Sequence, residues 1–370
     1  MKIEIFKMER MQSLWENVVE YNLSESGVHP LNLEELLTPE EIKELFKKEL
    51  GYTQTNGTPP LRENISRLYP GIGLEQIMVT AGSSEANFLI VWSLLEPGDE
   101  VIFELPNYMQ MWGLSRAFGG RVKPLWLKEE LGWQPDLNDL PKLITPSTKL
   151  IILTNPNNPT GSILSQEARK EIIRLAEKAG AWLLVDEVYR GAERNGQETS
   201  SFWGSYEKVI VVGGLSKAYG LPGLRLGWLV GPEQLVKKIW TYHDYTTISV
   251  SALTDYLAAV ALQPERRKKL LGRTRRILNS NLPVLEEWLK SFGDLFYYHQ
   301  PQAGAILFAG YRLKINSTEL VEKIRQEKSV LLVPGDHFEL DGHLRLGYGS
   351  NQEYLTAALD RVAQSLKHIK

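Results

Sequence analysis

The chain contains no cysteine, so disulfides, thiolate metal sites and cysteine nucleophiles are excluded together. Such a composition suits a reducing compartment. Excess positive charge is also missing: 42 basic side chains face 45 acidic ones, a formal charge of −3, which leaves no field to hold nucleic acid or an anionic membrane. The six histidines are scattered, and no pair has the spacing that sets two metal ligands on one helical face, so a metal hydrolase finds no support. No apolar run approaches the roughly 18 residues that span a bilayer. The opening stretch MKIEIFKMERMQSLWENVV lacks the uninterrupted apolar segment of a secretory signal. The expectation is a soluble, cytoplasmic protein without nucleic-acid or membrane partners.

What is present is ordinary globular material. An apolar share of 43% and a charged share of 24% over 370 residues exclude disordered and fibrous classes and predict more than one domain. Short apolar runs recur as QIMVT (76–80), DEVIFE (99–104), TKLIILT (148–154), AWLLVD (181–186), KVIVVGG (208–214) and LRLGWLV (224–230). Several are apolar at successive positions, the pattern of strands covered on both faces. Between them lie helical patterns, clearest in SQEARKEIIRLAEKAG. There Ala168, Ile172, Leu175, Ala176 and Ala179 form one face, Ser165 can cap the start and Gly180 can end it.

The alternation predicts an α/β large domain over residues 41–265, with a mostly parallel, seven-stranded-type sheet sandwiched by helices. A smaller α+β domain would combine residues 1–40 with 266–370. Its signals are a long charged helix in PERRKKLLGRTRRILNSNLPVLEEWLKSF and the strand-like runs GAILFAG, SVLLVPG and HLRLGYG. A closing helix follows, opened by a capping box from Ser350 to Glu353 and carrying Leu355, Ala358, Leu359 and Val362 on one face.

Unusual stretches follow the predicted strands, at the carboxyl edge where open α/β sheets bind ligands. TAGSSEA (80–86) sets glycine and serines at a strand-to-helix turn, where backbone amides and hydroxyls can hold an anion such as phosphate. In VDEVY (185–189), Asp186 ends a buried strand and needs a cationic or donating partner; as a bare helix cap it would need no ligand. TNPNNPTG (154–161) is a rigid loop offering the amide of Asn158. LSKAYGLPGLRLGW (215–228) carries Lys217, whose amine at a low-dielectric sheet mouth near other cations can have its pKa lowered and condense with a carbonyl as a Schiff base. Arg225 follows with a planar fork suited to phosphate. An anion cradle, a buried acid, an amide, an amine and an arginine belong together if the ligand is an aromatic aldehyde carrying a phosphate.

In these motifs, their order and their spacing, nearly the whole chain resembles the fold type I pyridoxal-phosphate enzymes, and within them the class I/II aminotransferases of the aspartate aminotransferase superfamily. SESGVHPL, GGLSKAYGLPGLRLGW and HDYTTISVS add a subgroup likeness to capreomycidine synthase and its relatives. The resemblance implies pyridoxal 5'-phosphate as cofactor. It implies that Lys217 forms the Schiff base and moves the proton at the substrate Cα. Asp186 would keep the pyridine nitrogen protonated, Tyr189 and Asn158 would touch the phenolic oxygen, and Tyr108 would stack on the ring. Gly82, Ser83, Ser84 and Arg225 would hold the phosphate, aided by Tyr52 from a neighbouring subunit, so a homodimer with shared sites is implied. Arg345 and Asn158 would grip the substrate carboxylate, and Gly27 would line the substrate side.

Two departures stand out. Where the family often has a phosphate-binding serine or threonine three residues before the lysine, this chain has Gly214, which leaves Ser216 to share the task. No arginine near DYTTISVSAL matches the one that dicarboxylate-specific members use, which disfavours an aspartate or glutamate specialist. The expected activity is ping-pong transfer of an amino group from an L-amino acid to a 2-oxo acid in amino-acid metabolism or biosynthesis. The alternative is a lyase or cyclase of the capreomycidine-synthase type on the same scaffold. A cofactor-binding regulatory module is disfavoured, since Tyr52 leaves little room ahead of it for a DNA-binding domain.

Overall fold

The computed structural model describes residues 2–367. Its main sheet is built from β1 (Ile77–Thr80), β2 (Glu100–Leu105), β3 (Arg121–Lys128), β4 (Thr148–Thr154), β5 (Trp182–Asp186), β6 (Val209–Gly214) and β7 (Gly227–Val230). They lie in the order β1-β7-β6-β5-β4-β2-β3, and Gln134–Pro135 adds a two-residue antiparallel piece beside β3 as the eighth strand. β7 runs antiparallel to both its neighbours, β1 and β6; the pairings among β2, β3, β4, β5 and β6 are parallel.

Successive residues of these strands enter two separate cores. Ile151, Leu183, Val185 and Val211 pack on one face with Ile172 and Leu175 of α3 (Gln166–Ala179), while Ile152, Leu184, Ile210 and Val212 pack on the other with Ala86, Leu89 and Ile90 of α2 (Ser83–Leu94). Burial on both faces is why the strands read as unbroken apolar runs; each Leu, Ile or Val so buried contributes about 1.5–3 kcal/mol. Ser165 caps α3 by accepting from the Ala168 amide, and Gly180 ends it in the left-handed conformation, as its sequence pattern predicts.

Beyond Leu262 the 27-residue α4 (Pro264–Lys290) leads to an antiparallel sheet of β8 (Phe296–Tyr298), β9 (Ile306–Tyr311), β11 (His343–Gly347) and β10 (Val333–Pro334), paired in that order. Helices α5 (Ser317–Lys328) and α6 (Gln352–Leu366) pack on each other, and Tyr21–Asn22 pairs in parallel with Val330–Leu331. The N-terminal segment also contributes α1 (Lys7–Trp15).

Two sequence expectations change, and one strand is added. The cap of α6 is Asn351, accepting from the Tyr354 amide, rather than Ser350; the Ser350 carbonyl instead accepts from Asn281 Nδ2 at 2.6 Å. The strand predicted from Leu224 begins at Gly227, because Leu224 sits in a 3-10 turn and Arg225 is left-handed. β3 did not stand out as a run: it contains Pro124 and is partly exposed along its length, as a strand near the sheet edge can be.

Candidate active site

The carboxyl ends of β1, β4, β5 and β6 share one edge with the amino end of the reversed β7, so five chain segments meet there. They border a cavity of about 260 Å³ whose wall includes Ser83, Ser84, Tyr108, Asn158, Asp186, Tyr189, Ser216, Lys217, Arg225 and Arg345. The structure therefore brings together most of the residues singled out in the sequence. Tyr52 is not among them: it is 84% exposed. Gly27 lies just behind the wall, where an added Cβ would stand 3.1 Å from the Ser216 carbonyl oxygen and 3.6 Å from Lys217 Cα.

At one end, α2 begins without a side-chain cap, which leaves its first amides free for an anion. Gly82 precedes them at φ +83°, and a Cβ there would come within 2.7 Å of Arg225 Nη2. A Cβ on Gly227 would lie 2.3 Å from the Ser83 amide nitrogen. Both glycines are required for this close approach of Arg225 to the helix start. Arg225 Nη1 is held by the Pro222 carbonyl at 3.2 Å.

Midway, Asp186 closes β5 and is 5% exposed. Its Oδ1 accepts from the Val188 amide (3.0 Å) and its Oδ2 from Asn87 Nδ2 (3.3 Å), yet no cation pairs with it among the described residues. Burial pushes the carboxyl up to about 6, against the downward pull of these hydrogen bonds and of Lys217. No helix follows Asp186, so its position is not explained as a helix cap. The Tyr189 hydroxyl donates to Ser26 Oγ at 2.8 Å.

Lys217 Nζ donates to Glu25 Oε1 at 2.9 Å. The expectation of a lowered amine pKa is corrected here: burial is the largest single influence and pushes it down, but the charge and hydrogen bond of Glu25 together with Tyr189 outweigh it and the net direction is upward. In return, burial pushes Glu25 up while Lys217, the Gly27 amide and Arg345 hold it down at about 2. Glu25 stands 192 residues from its partner in sequence and escaped notice for that reason.

On the far wall Arg345, on β11 between β9 and β10, is 1% exposed. Its Nη1 donates to Asn158 Oδ1 at 2.8 Å and its Nη2 to the Ser24 carbonyl, while Nε has no partner. Asn158 belongs to a loop anchored on Glu104, which accepts from the Thr154 amide (2.9 Å) and Asn157 Nδ2 (3.0 Å); burial pushes the Glu104 carboxyl up to about 8. The remaining wall is α1, through Met8, Glu9 and Gln12, with Glu16 at its C-terminal cap. These were missed, although Glu9, Gln12 and Glu16 recur at helical spacing. The Tyr108 hydroxyl donates to Glu9 Oε1 at 2.8 Å.

Chemically, the arrangement offers an anion cradle at one end, a buried acid lacking a cation in the middle, an amine beside it, and a buried guanidinium with a free N–H opposite. Those are the complements of a phosphate, a protonated ring nitrogen, an aldehyde and a carboxylate, so the residues fit pyridoxal phosphate and an amino acid. Among the described residues no cluster of three or more histidine or acidic side chains is placed to hold a metal ion, and no helix is long and apolar enough to cross a membrane.

A family model described as aminotransferase class I and II matches residues 25–362. The chain is 31% identical over 351 residues to capreomycidine synthase of Streptomyces vinaceus, covering 93% of this chain and 89% of that protein. It is 30% identical over 339 residues to an aspartate aminotransferase of Thermotoga maritima, covering 90% and 88%. A crystal structure of a PLP-dependent aminotransferase from Streptococcus suis superposes with a TM-score of 0.93 at 36% identity, covering 100% of this chain and 99% of that one.

Proposed function

The chain belongs to the class I and II aminotransferases, pyridoxal-phosphate enzymes of fold type I, and from that membership we propose how its own residues move an amino group from an L-amino acid to a 2-oxo acid. The observation that carries the assignment is the convergence of Lys217, Asp186, Arg225 and Arg345 on one cavity, with Asp186 buried and lacking a cation. Bound pyridoxal phosphate supplies an aldehyde that exchanges amines and a ring that accepts electron density from the substrate Cα.

Arg225, Ser216 and the Gly82 to Ser84 turn hold the phosphate. Asp186 keeps a proton on the ring nitrogen, which in turn relieves the cost of burying its own charge. Tyr189 donates to the phenolic oxygen and Tyr108 covers the ring face. Arg345 and Asn158 bind the substrate carboxylate, and the free Nε of Arg345 completes a forked pair. With the cofactor bound, Lys217 would be left as a neutral amine when the substrate amine displaces it from the aldehyde carbon, and as that base it would take the proton from Cα and return it one carbon further on. Water would then release the donor's carbon skeleton as a 2-oxo acid and leave the amino group on the cofactor, from which a second 2-oxo acid would take it, giving ping-pong kinetics.

Residues 41–265 serve in this reading as the large domain and residues 1–40 with 266–370 as the small one, so the cavity lies between them. A homodimer belongs to the same reading. Its support is the exposure of four large side chains, Phe46, Leu50, Tyr52 and Tyr245; Thr53, next to Tyr52, donates through Oγ1 to the Val250 carbonyl at 3.3 Å, and Tyr52 would reach the partner's phosphate. A cytoplasmic location is supported by the absence of cysteine.

The similarity to capreomycidine synthase favours one second reading, a cyclase or lyase on the same scaffold. Both share removal of the Cα proton, so product analysis separates them. In a single turnover without acceptor, amino transfer yields a 2-oxo acid and pyridoxamine phosphate in equal amounts, whereas cyclisation or elimination leaves the cofactor as the aldehyde.

A further inference from the structure

Met8, Glu9, Gln12 and Glu16 line the cavity from α1 and its cap, at spacings that set them on one helical face. With Glu25 they bring three carboxylates to the substrate side of the cavity. Glu25 has a cation in Lys217. Glu9 accepts only from the Tyr108 hydroxyl through Oε1, and Glu16 has no hydrogen-bond or ion-pair partner for its carboxylate among the described residues. Gln12 is spent on the Ser24 carbonyl and hydroxyl, at 3.0 and 3.1 Å. Burial raises the Glu16 carboxyl, and Glu25 and Glu9 raise it further against a smaller pull from Lys217. Among the described residues no cation pairs directly with Glu16 or with the second oxygen of Glu9.

Arg345, which shares the Ser24 carbonyl with Gln12, has the reverse deficit. Arg345 is 1% exposed and its Nε has no acceptor. Leaving such an N–H unpaired in a buried site is costly. A ligand anionic at one end and cationic at the other relieves both deficits at once. A neutral side chain leaves the acids of α1 uncompensated, and an acidic side chain adds to their repulsion.

We propose that the amino-acid substrate carries a cationic side chain, a guanidinium or ammonium on a short alkyl stem, bound by Glu16 and by the free oxygen of Glu9. The inference rests on reading the cavity as an amino-acid site. It adds to that reading the substrate class, and it assigns α1 to specificity. Glu16 is a binding residue with no part in proton transfer.

The test begins with the protein loaded with pyridoxal phosphate. A visible absorption band that Lys217→Ala lacks establishes the loaded site, and failure at this step counts against the cofactor reading alone. Binding of unreactive carboxylates to the loaded protein is then measured by calorimetry, with δ-guanidinovalerate, hexanoate and adipate as probes. The guanidino acid is expected to bind at least about ten-fold more tightly than hexanoate, the gain typical of one charge-assisted hydrogen bond. Glu16→Gln should erase about ten-fold of that preference, and Glu16→Lys should shift it toward adipate. The same order should appear when arginine, ornithine, leucine and glutamate are compared as amino donors. Hexanoate or adipate binding as tightly as the guanidino acid overturns the proposal, as does a preference that survives both substitutions.

Discussion

Asp186→Asn separates what the buried acid does for the cofactor from what it costs the fold. Moving this carboxyl from its ordinary 3.8 to about 6 corresponds to about 3 kcal/mol of stability lost on ionisation. The sign follows from proton binding. The folded cofactor-free chain holds this proton more tightly than the unfolded chain, so the favourable contribution is complete below pH 3.8 and is lost as pH rises through about 6. Asparagine never ionises. Its Oδ1 can still accept from the Val188 amide, and Asn87, whose Oδ1 has no partner, can turn that oxygen toward the new amide. Cofactor-free Asp186→Asn is therefore expected to exceed the parent by up to about 3 kcal/mol at pH 8 and to match it near pH 4, while losing most amino-transfer activity. Urea unfolding of both cofactor-free proteins across this range measures the gap, and other titrating groups cancel in the difference. A variant less stable than the parent at pH 8, or a gap that ignores pH, would refute the reasoning.

Other substitutions test the remaining walls. Gly82→Ala forces a side chain to φ +83° and to within 2.7 Å of Arg225; it should weaken cofactor affinity by about ten-fold or more, with strain of roughly 1–2 kcal/mol, read by titrating the cofactor-free protein with pyridoxal phosphate. Arg345→Gln should raise KM for the amino donor by about 100-fold, from loss of a charged forked pair, with the cofactor's Kd changed far less. Glu104→Gln should match the parent near pH 4, where the carboxyl is protonated both folded and unfolded, and exceed it above that, because burial pushes the folded Glu104 carboxyl from its ordinary 4.5 up to about 8. The parent should lose stability relative to this variant as pH rises from about 4.5 through about 8, which urea unfolding at pH 4 and 9 will show.

The central sheet was legible because burial on both faces writes uninterrupted apolar runs into β2, β4, β5 and β6. β3 was not, since Pro124 and its partial exposure break that pattern. The end of the cavity at the start of α2 was legible for a local reason: Gly82 to Ser84, and Lys217 with Arg225, lie in short contiguous motifs. The substrate end was less so. Its determinants are contacts across the chain, Lys217 with Glu25 and Arg345 with Asn158, separated by 192 and 187 residues. Helix α1 was overlooked because its inward face is polar toward a cavity, whereas sequence periodicity reveals faces that are apolar toward a core. The direction of the Lys217 pKa was misjudged for the same reason, as its counter-charge arrives from that distant segment.

The most direct test is covalent. The protein purified with pyridoxal phosphate should be reduced with borohydride, digested, and its peptides mapped by mass. Attachment of the reduced cofactor to Lys217 and to no other lysine is the predicted result, with none in Lys217→Ala. Attachment elsewhere, or none from a protein that has bound the cofactor, would contradict the placing of amino transfer at this cavity.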